Sequence, residues 1–187
     1  MKINSLLLIS GLGFILTSAA FAAPVELEGT QGGRQPQIAC DTKGVLHVVY
    51  ALGDRIQYLQ SKDEGKTFSK PATVAKLNKV MVGMRRGPRV AVSGSTILVT
   101  ANSNNLSSFI STDGGASWSQ ENRVNDKNDS AREGLHNIVA IPGGGFFAVW
   151  LDLRSGKAEI WGAFSTNGAN WDSNRQIYQS PEGTVCE

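Results

Sequence analysis

Apolar positions in this chain fall in short runs, several alternating with polar ones, and each run ends in a cluster of Gly, Asn, Asp or Ser. PQIAC, GVLHVVYA, RIQYLQS and PATVAK come first, followed by PRVAV, STILVTA, NLSSFIS and WSQENRV, and then by LHNIVAI, GFFAVWL, KAEIWGAFS and WDSNRQIY. Short runs rich in β-branched and aromatic residues between turn clusters predict strands. After residue 22 no segment sustains a helical period, so the pattern predicts an all-β chain.

A repeat divides the runs into three sets. SKDEGKTF begins at Ser61, STDGGASW at Ser111 and STNGANW at Ser165, with starts 50 and 54 residues apart. The first two fit S-x-D-x-G-x-x-aromatic, and the third is one residue shorter with Asn167 in place of the Asp. That spacing suits a four-stranded sheet with its turns and is too short for an independent domain. Three such sheets predict blades of a β-propeller, spanning about 30–80, 84–126 and 130–180. Each motif then falls on the turn between the third and fourth strand. There Asp63 or Asp113 accepts backbone N–H groups across the turn, Gly65, Gly115 or Gly168 supplies positive φ, and Phe68, Trp118 or Trp171 tucks into a sheet.

The first 22 residues differ in kind. Lys2 precedes an uncharged apolar run from Leu6 to Leu16 and small residues ending in Ala20-Phe21-Ala22, the pattern of a secretory signal peptide. The run is too short for a membrane span, so the expected product is exported, secreted or periplasmic, without membrane attachment after cleavage. A net charge of +2 gives no reason to expect nucleic-acid binding. Cys40 and Cys186 are either a disulfide pair in that oxidising setting or unrelated, Cys40 then reading as a small buried residue. His47 reads as a packed strand residue and His136 as a possible pocket residue, with no His or Cys cluster at ligand spacing; no metal or cofactor is expected. Asn105-Leu106-Ser107 and Asn128-Asp129-Ser130 fit the glycosylation sequon, which matters only in a suitable secretory host.

The boxes at Ser61 and Ser111 resemble the Asp-box, or BNR, repeat of sialidases and related propellers, over about 150 residues. The resemblance implies that the boxes lie on the face opposite the active site and are structural. Arg34-Gln35-Pro36 is similar to the Arg-Ile-Pro motif of sialidases, whose Arg grips the carboxylate of sialic acid, with Gln35 as the departure. The same position recurs at Arg86-Gly87-Pro88, and Arg132 opens the third blade. Two readings stay open: a ring of arginines around a central pocket, or repeated anchors that bond backbone carbonyls. The turns between second and third strands share that face and add Asp54, Arg55, Asp152 and Arg154, which either bind an anionic sugar or are ordinary solvated charges.

Asp54 is the candidate acid/base by this resemblance; the Tyr, the Glu and the remaining arginines of a sialidase come from later blades. Propellers close with about four to eight blades, so three blades are expected to be the N-terminal half of a longer, six-bladed protein or to self-assemble through open blade edges. The resemblance implies a secreted sialidase-like glycoside hydrolase of sialoglycans in its full-length form, inactive as three blades. The alternative is a non-catalytic exported propeller that binds a glycan or a protein partner.

Overall fold

The computed structural model describes residues 26–181, 183 and 185, so the leader at 1–22 and the pairing of Cys186 lie outside the described residues. Three four-stranded antiparallel sheets follow one another along the chain. Blade one holds β1 (Arg34–Cys40), β2 (Leu46–Leu52), β3 (Arg55–Ser61) and β4 (Ala72–Lys76). Blade two holds β5 (Arg89–Ser93), β6 (Thr96–Asn102), β7 (Leu106–Ser111) and β8 (Asn122–Arg123). Blade three holds β9 (His136–Ala140), β10 (Phe146–Asp152), β11 (Glu159–Ser165) and β12 (Arg175–Tyr178). Within each sheet the strands pair in chain order, and no helix occurs among the described residues.

Register makes the blades superposable. Leu46 pairs with Ser61, Ile97 with Ser111 and Phe146 with Ser165, so each motif starts on the last residue of its third strand. On the other side of the second strand, Gln37 pairs with Val49, Arg89 with Thr100 and Asn137 with Val149. Gln37, Arg89 and Asn137 are therefore equivalent, as are Ile38, Val90 and Ile138 one residue on.

Alternation of side chains puts apolar residues on both faces of each sheet, and the blades pack face to face. Val49, Ala51, Ile56 and Tyr58 of blade one meet Val90, Ile97, Val99, Ala101 and Phe109 of blade two. On the far face of blade two, Ala91, Leu98 and Leu106 meet Ile138, Phe146, Ala148 and Trp150 of blade three. The first strands lie side by side, β5 against both β1 and β9, which sets them around the inner side of the stack.

Three expectations change. WSQENRV and WDSNRQIY pair only as Asn122–Arg123 and Arg175–Tyr178, because Trp118 and Trp171 leave the ladder and pack on the clusters between blades. Cys40 is exposed rather than buried, since it shares with Ile38 the face of β1 that no described blade covers.

Candidate functional site

Antiparallel order gives the stack two ends. The turns between third and fourth strands are at one end; the starts of the first strands and the turns between second and third strands are at the other.

At the first end the motifs are closed hydrogen-bond knots. Ser61 Oγ donates to Asp63 Oδ1 at 2.8 Å and accepts Gly65 N at 2.9 Å, while Asp63 accepts Thr67 N at 2.9 Å and the Thr67 hydroxyl at 2.5 Å. Ser111, Asp113, Gly115 and Ser117 repeat the pattern at 2.7, 2.8, 2.9 and 2.5 Å. In the third turn Ser165 still accepts Gly168 N at 2.8 Å, and Asn167 Oδ1 accepts Ala169 N and Asn170 N at 2.9 Å each. The Thr67 hydroxyl and N–H, then Ser61, hold the Asp63 carboxyl down to about 2, and the Ser117 donors hold Asp113 below the usual carboxylate range. A Cβ on Gly115 would lie 2.2 Å from the Tyr58 ring, so the turn needs glycine for packing as well as for its φ of 90°. Each of these carboxylates is committed to the donors of its own turn.

A depression of about 660 Å³ also lies at this end, between blades one and two. His47 and Tyr58 meet across its floor at 2.8 Å.

The other end holds a smaller polar cleft of about 480 Å³, where the first strands of all three blades begin. Gln35, Pro36 and Gln37 come from blade one, Arg85 and Arg89 from the approach to and start of β5, and Leu135, His136 and Asn137 from the start of blade three. Arg89 donates Nη1 to the carbonyls of Gly87 and Pro88 at 3.1 and 3.0 Å, and Nη2 to the Arg85 carbonyl. Burial pulls its pKa down, yet it stays far above neutrality. His136 is buried behind it, with Nδ1 3.3 Å from the Gly134 carbonyl and Nε2 3.1 Å from the Thr100 hydroxyl. Burial first, and the Arg89 charge second, push the imidazole down to about 4.

The backbone around this cleft is strained. Gln35, Met84 and Arg85 adopt φ of 53°, 46° and 67°, and a register shift between Arg34 and Gln37 marks a bulge in β1. Met84 and Arg85 form the tip of a tight turn closed by Arg86 N to Gly83 O at 2.9 Å. Gly87 takes φ 136° with its Cβ position only 2.5 Å from Gln35 Cβ, so that close approach admits no side chain.

The residues singled out in the sequence are distributed unevenly over this end. Arg34 is exposed at the start of β1, opposite Ala51, with no side-chain hydrogen bond among the described residues. Arg86 is an anchor: Nε donates to the Glu133 carbonyl at 2.5 Å and Nη2 meets Glu133 Oε2 at 3.4 Å, tying the approach of blade two to that of blade three. Arg132 is exposed and lies five residues before Asn137, whereas Arg34 and Arg86 each lie three before the equivalent Gln37 and Arg89, so that offset recurs in two blades.

Asp152 and Arg154 correct the picture of solvated loop charges. Asp152 is fully buried and accepts Trp150 Nε1 and Ser130 Oγ at 2.7 Å each, Arg154 N and Nε at 2.9 Å each, and Arg154 Nη2 at 3.0 Å. Burial raises its pKa, but these donors outweigh that and hold the carboxyl below its ordinary value. Arg154 is spent on Asp152, on Asp126 at 2.9 Å, and on the Trp161 ring at 3.6 Å. Asp54 pairs with Lys76 at 3.2 Å and with Arg55 at 4.0 Å, outside the cleft. No carboxylate lines the cleft, and the described residues hold no group of three or more His, Cys, Asp or Glu able to bind a metal.

No protein-family model matches the chain, and no curated protein matches it. Solved structures do. It is similar to the α-L-arabinanase of Penicillium chrysogenum complexed with arabinobiose, at 15% identity and a TM-score of 0.54 over 80% of this chain and 50% of that one. The GH93 α-L-arabinofuranosidase of Fusarium graminearum with arabinobiose matches at 14% identity and 0.55, over 81% and 50%. The NanB sialidase of Streptococcus pneumoniae matches at 15% identity and 0.55, over 78% and 23%. At such identity the likeness establishes the fold: three four-stranded blades of the propeller type found in glycosidases. The chain spans about half the length of the arabinan-cleaving neighbours and under a quarter of the sialidase.

Proposed function

We propose that this chain is an exported, sialidase-like Asp-box propeller segment that binds carbohydrate at the first-strand end, with the cleft around Arg89, His136 and Asn137 as its ligand surface. One observation carries the reading: guanidinium and amide groups from three blades converge on a cleft whose backbone is strained at Gln35, Met84 and Arg85. Amides both donate to and accept from sugar hydroxyls, and Arg34, Arg85 and Arg89 supply cations for an acidic sugar. The arabinobiose and sialidase neighbours support a carbohydrate ligand, and the sequence of residues 1–22 supports export.

Hydrolysis needs two carboxyl groups about 5 to 9.5 Å apart across the scissile bond, or a Tyr nucleophile with a Glu partner. Among the described residues no carboxylate lines this cleft, so on this reading the three blades bind without turnover, and glycoside hydrolysis of sialoglycans belongs to an assembly that adds carboxylates to the same face. The test is saturation-transfer NMR with sialyllactose and arabinobiose, beside a fluorogenic sialoside assay. Binding without turnover, weakened by Arg89→Ala and Arg34→Ala in folded protein, is the expected result. Absence of binding to any acidic or neutral sugar would overturn it, and turnover by this chain would overturn the assignment of a binding role.

A further inference from the structure

The interfaces between successive blades are equivalent, and the chain carries an unmatched copy of each half of them. Val90 is 6% exposed where blade two meets blade one, and Ile138 is 9% exposed where blade three meets blade two. Their counterpart in blade one, Ile38, is 54% exposed. On the opposite face Ala91 is 5% exposed beneath blade three, whereas its counterpart Val139 is 55% exposed.

The turn aromatics repeat the asymmetry. Trp118 stands edge-on to Tyr58 of the preceding blade at 5.2 Å, and Trp171 donates Nε1 to Ser108 of its preceding blade at 3.1 Å. Phe68 has no described blade before it; it lies with Pro36, Val48, Tyr50 and Leu59 along an apolar groove of about 270 Å³ whose other wall is Leu27, Thr30 and Gly33 of the segment before β1. The residue in register with Tyr58 and Ser108 in blade three is Gly162, and the Phe147 ring closes over it, with the Arg175 guanidinium 5.4 Å from the ring centroid.

We propose that this chain pairs with a second copy, blade three of each docking on blade one of the other, so that two three-bladed sets close one six-bladed ring about a twofold axis. The occupant is a second copy because the two open faces are complementary halves of an interface the chain already makes twice, Val139 and Phe147 on one side, Ile38 and Phe68 on the other. A surface of this head-to-tail kind either closes or grows without end, and the blade rotation fixes which. Closure would set two copies of the cleft around one axis, whatever ligand the cleft takes.

Sedimentation equilibrium of the chain from Ala23 onward, which carries every described strand, is the test. The expected mass is that of two chains. Ile38→Lys and Val139→Glu should each give folded monomers by circular dichroism, and the two substitutions together in one chain should restore the dimer, because each junction then faces an ammonium with a carboxylate. Met84→Lys, 85% exposed on its hairpin tip, should leave the dimer intact. Amide exchange in β1 and β9 of the unmodified chain should slow as concentration rises, a readout that needs no variant. A concentration-independent monomer, an open series of larger assemblies, or single variants that keep the dimer would each overturn the proposal.

Discussion

Acidification from neutral pH should destabilise this fold through His136. The Gly134 carbonyl can only accept, so Nδ1 carries the proton and Nε2 accepts from the Thr100 hydroxyl: the buried ring is neutral, beside the Arg89 cation. In the unfolded chain the ring titrates at its ordinary 6.5, in the fold at about 4. Between these values the unfolded state binds more protons, so stability falls as pH falls, fully retained above 6.5 and exhausted near 4. At about 1.4 kcal/mol per pH unit, the loss reaches about 1.4 kcal/mol at pH 5.5 and about 3 kcal/mol at pH 4. Urea unfolding at pH 7.5, 6.5, 5.5 and 4.5 reads it directly. His47, the other histidine, is also lowered by burial, partly offset by Asp41, and contributes with the same sign. His136→Gln separates the two, since the difference between native and variant slopes belongs to His136 alone. Equal slopes in the two proteins, or an NMR titration of His136 near 6.5, would refute the argument.

Further outcomes follow from the same contacts. Asp63 and Asp113 have depressed pKa values, so the stability they contribute is present above the unfolded carboxylate range and is lost as pH falls toward 2; Asp113→Ala should lower the melting temperature and flatten that acid limb without altering sugar binding. Gly115→Ala drives a Cβ to within 2.2 Å of Tyr58 at a positive φ, and should cost about 2 to 3 kcal/mol in urea unfolding. Asp152→Ala leaves Arg154 with Asp126 as its remaining carboxylate and removes the acceptor of the buried Trp150 and Ser130 donors; a loss of about 3 to 5 kcal/mol is expected, and a loss below about 1 kcal/mol would show that the Asp152 network is not a buried one.

The strands and the knotted turns were legible because each leaves a local signature. Period-two runs mark the sheets, and the Ser-x-Asp-x-Gly spacing marks turns that close on themselves within a few residues. The cleft was legible only in part: its end of the blades and His136 were expected, whereas Arg89 was not, and its register shows why. Its counterparts in register are Gln37 and Asn137, three residue types at one position, so no repeat points to it, whereas Arg86 matches Arg34 and drew attention to itself. Pairing of β5 with β6 is what places Arg89 at the cleft and leaves Arg86 three residues earlier, bound to Glu133, 47 positions away. Neither reading left open for Asp152, sugar contact or solvated charge, anticipated its burial, because Asp-x-Arg in a turn carries no local sign of it and Ser130, the partner that reveals it, is 22 residues distant.

These contrasts divide the two ends of the stack by how their polar groups are satisfied. At the knotted end the Ser and the Asp or Asn of each motif bond within their own turn, and only the aromatic and glycine of the second and third motifs reach the preceding blade. At the cleft end His136 bonds between β9 and β6, Arg86 bonds between the approaches to β5 and β9, and the strained Gln35 lies against Gly87 of the next blade. Each of these contacts crosses a blade boundary. The cleft therefore depends on how the blades rotate against one another, and a ligand that fits it must sense the stacking of the sheets.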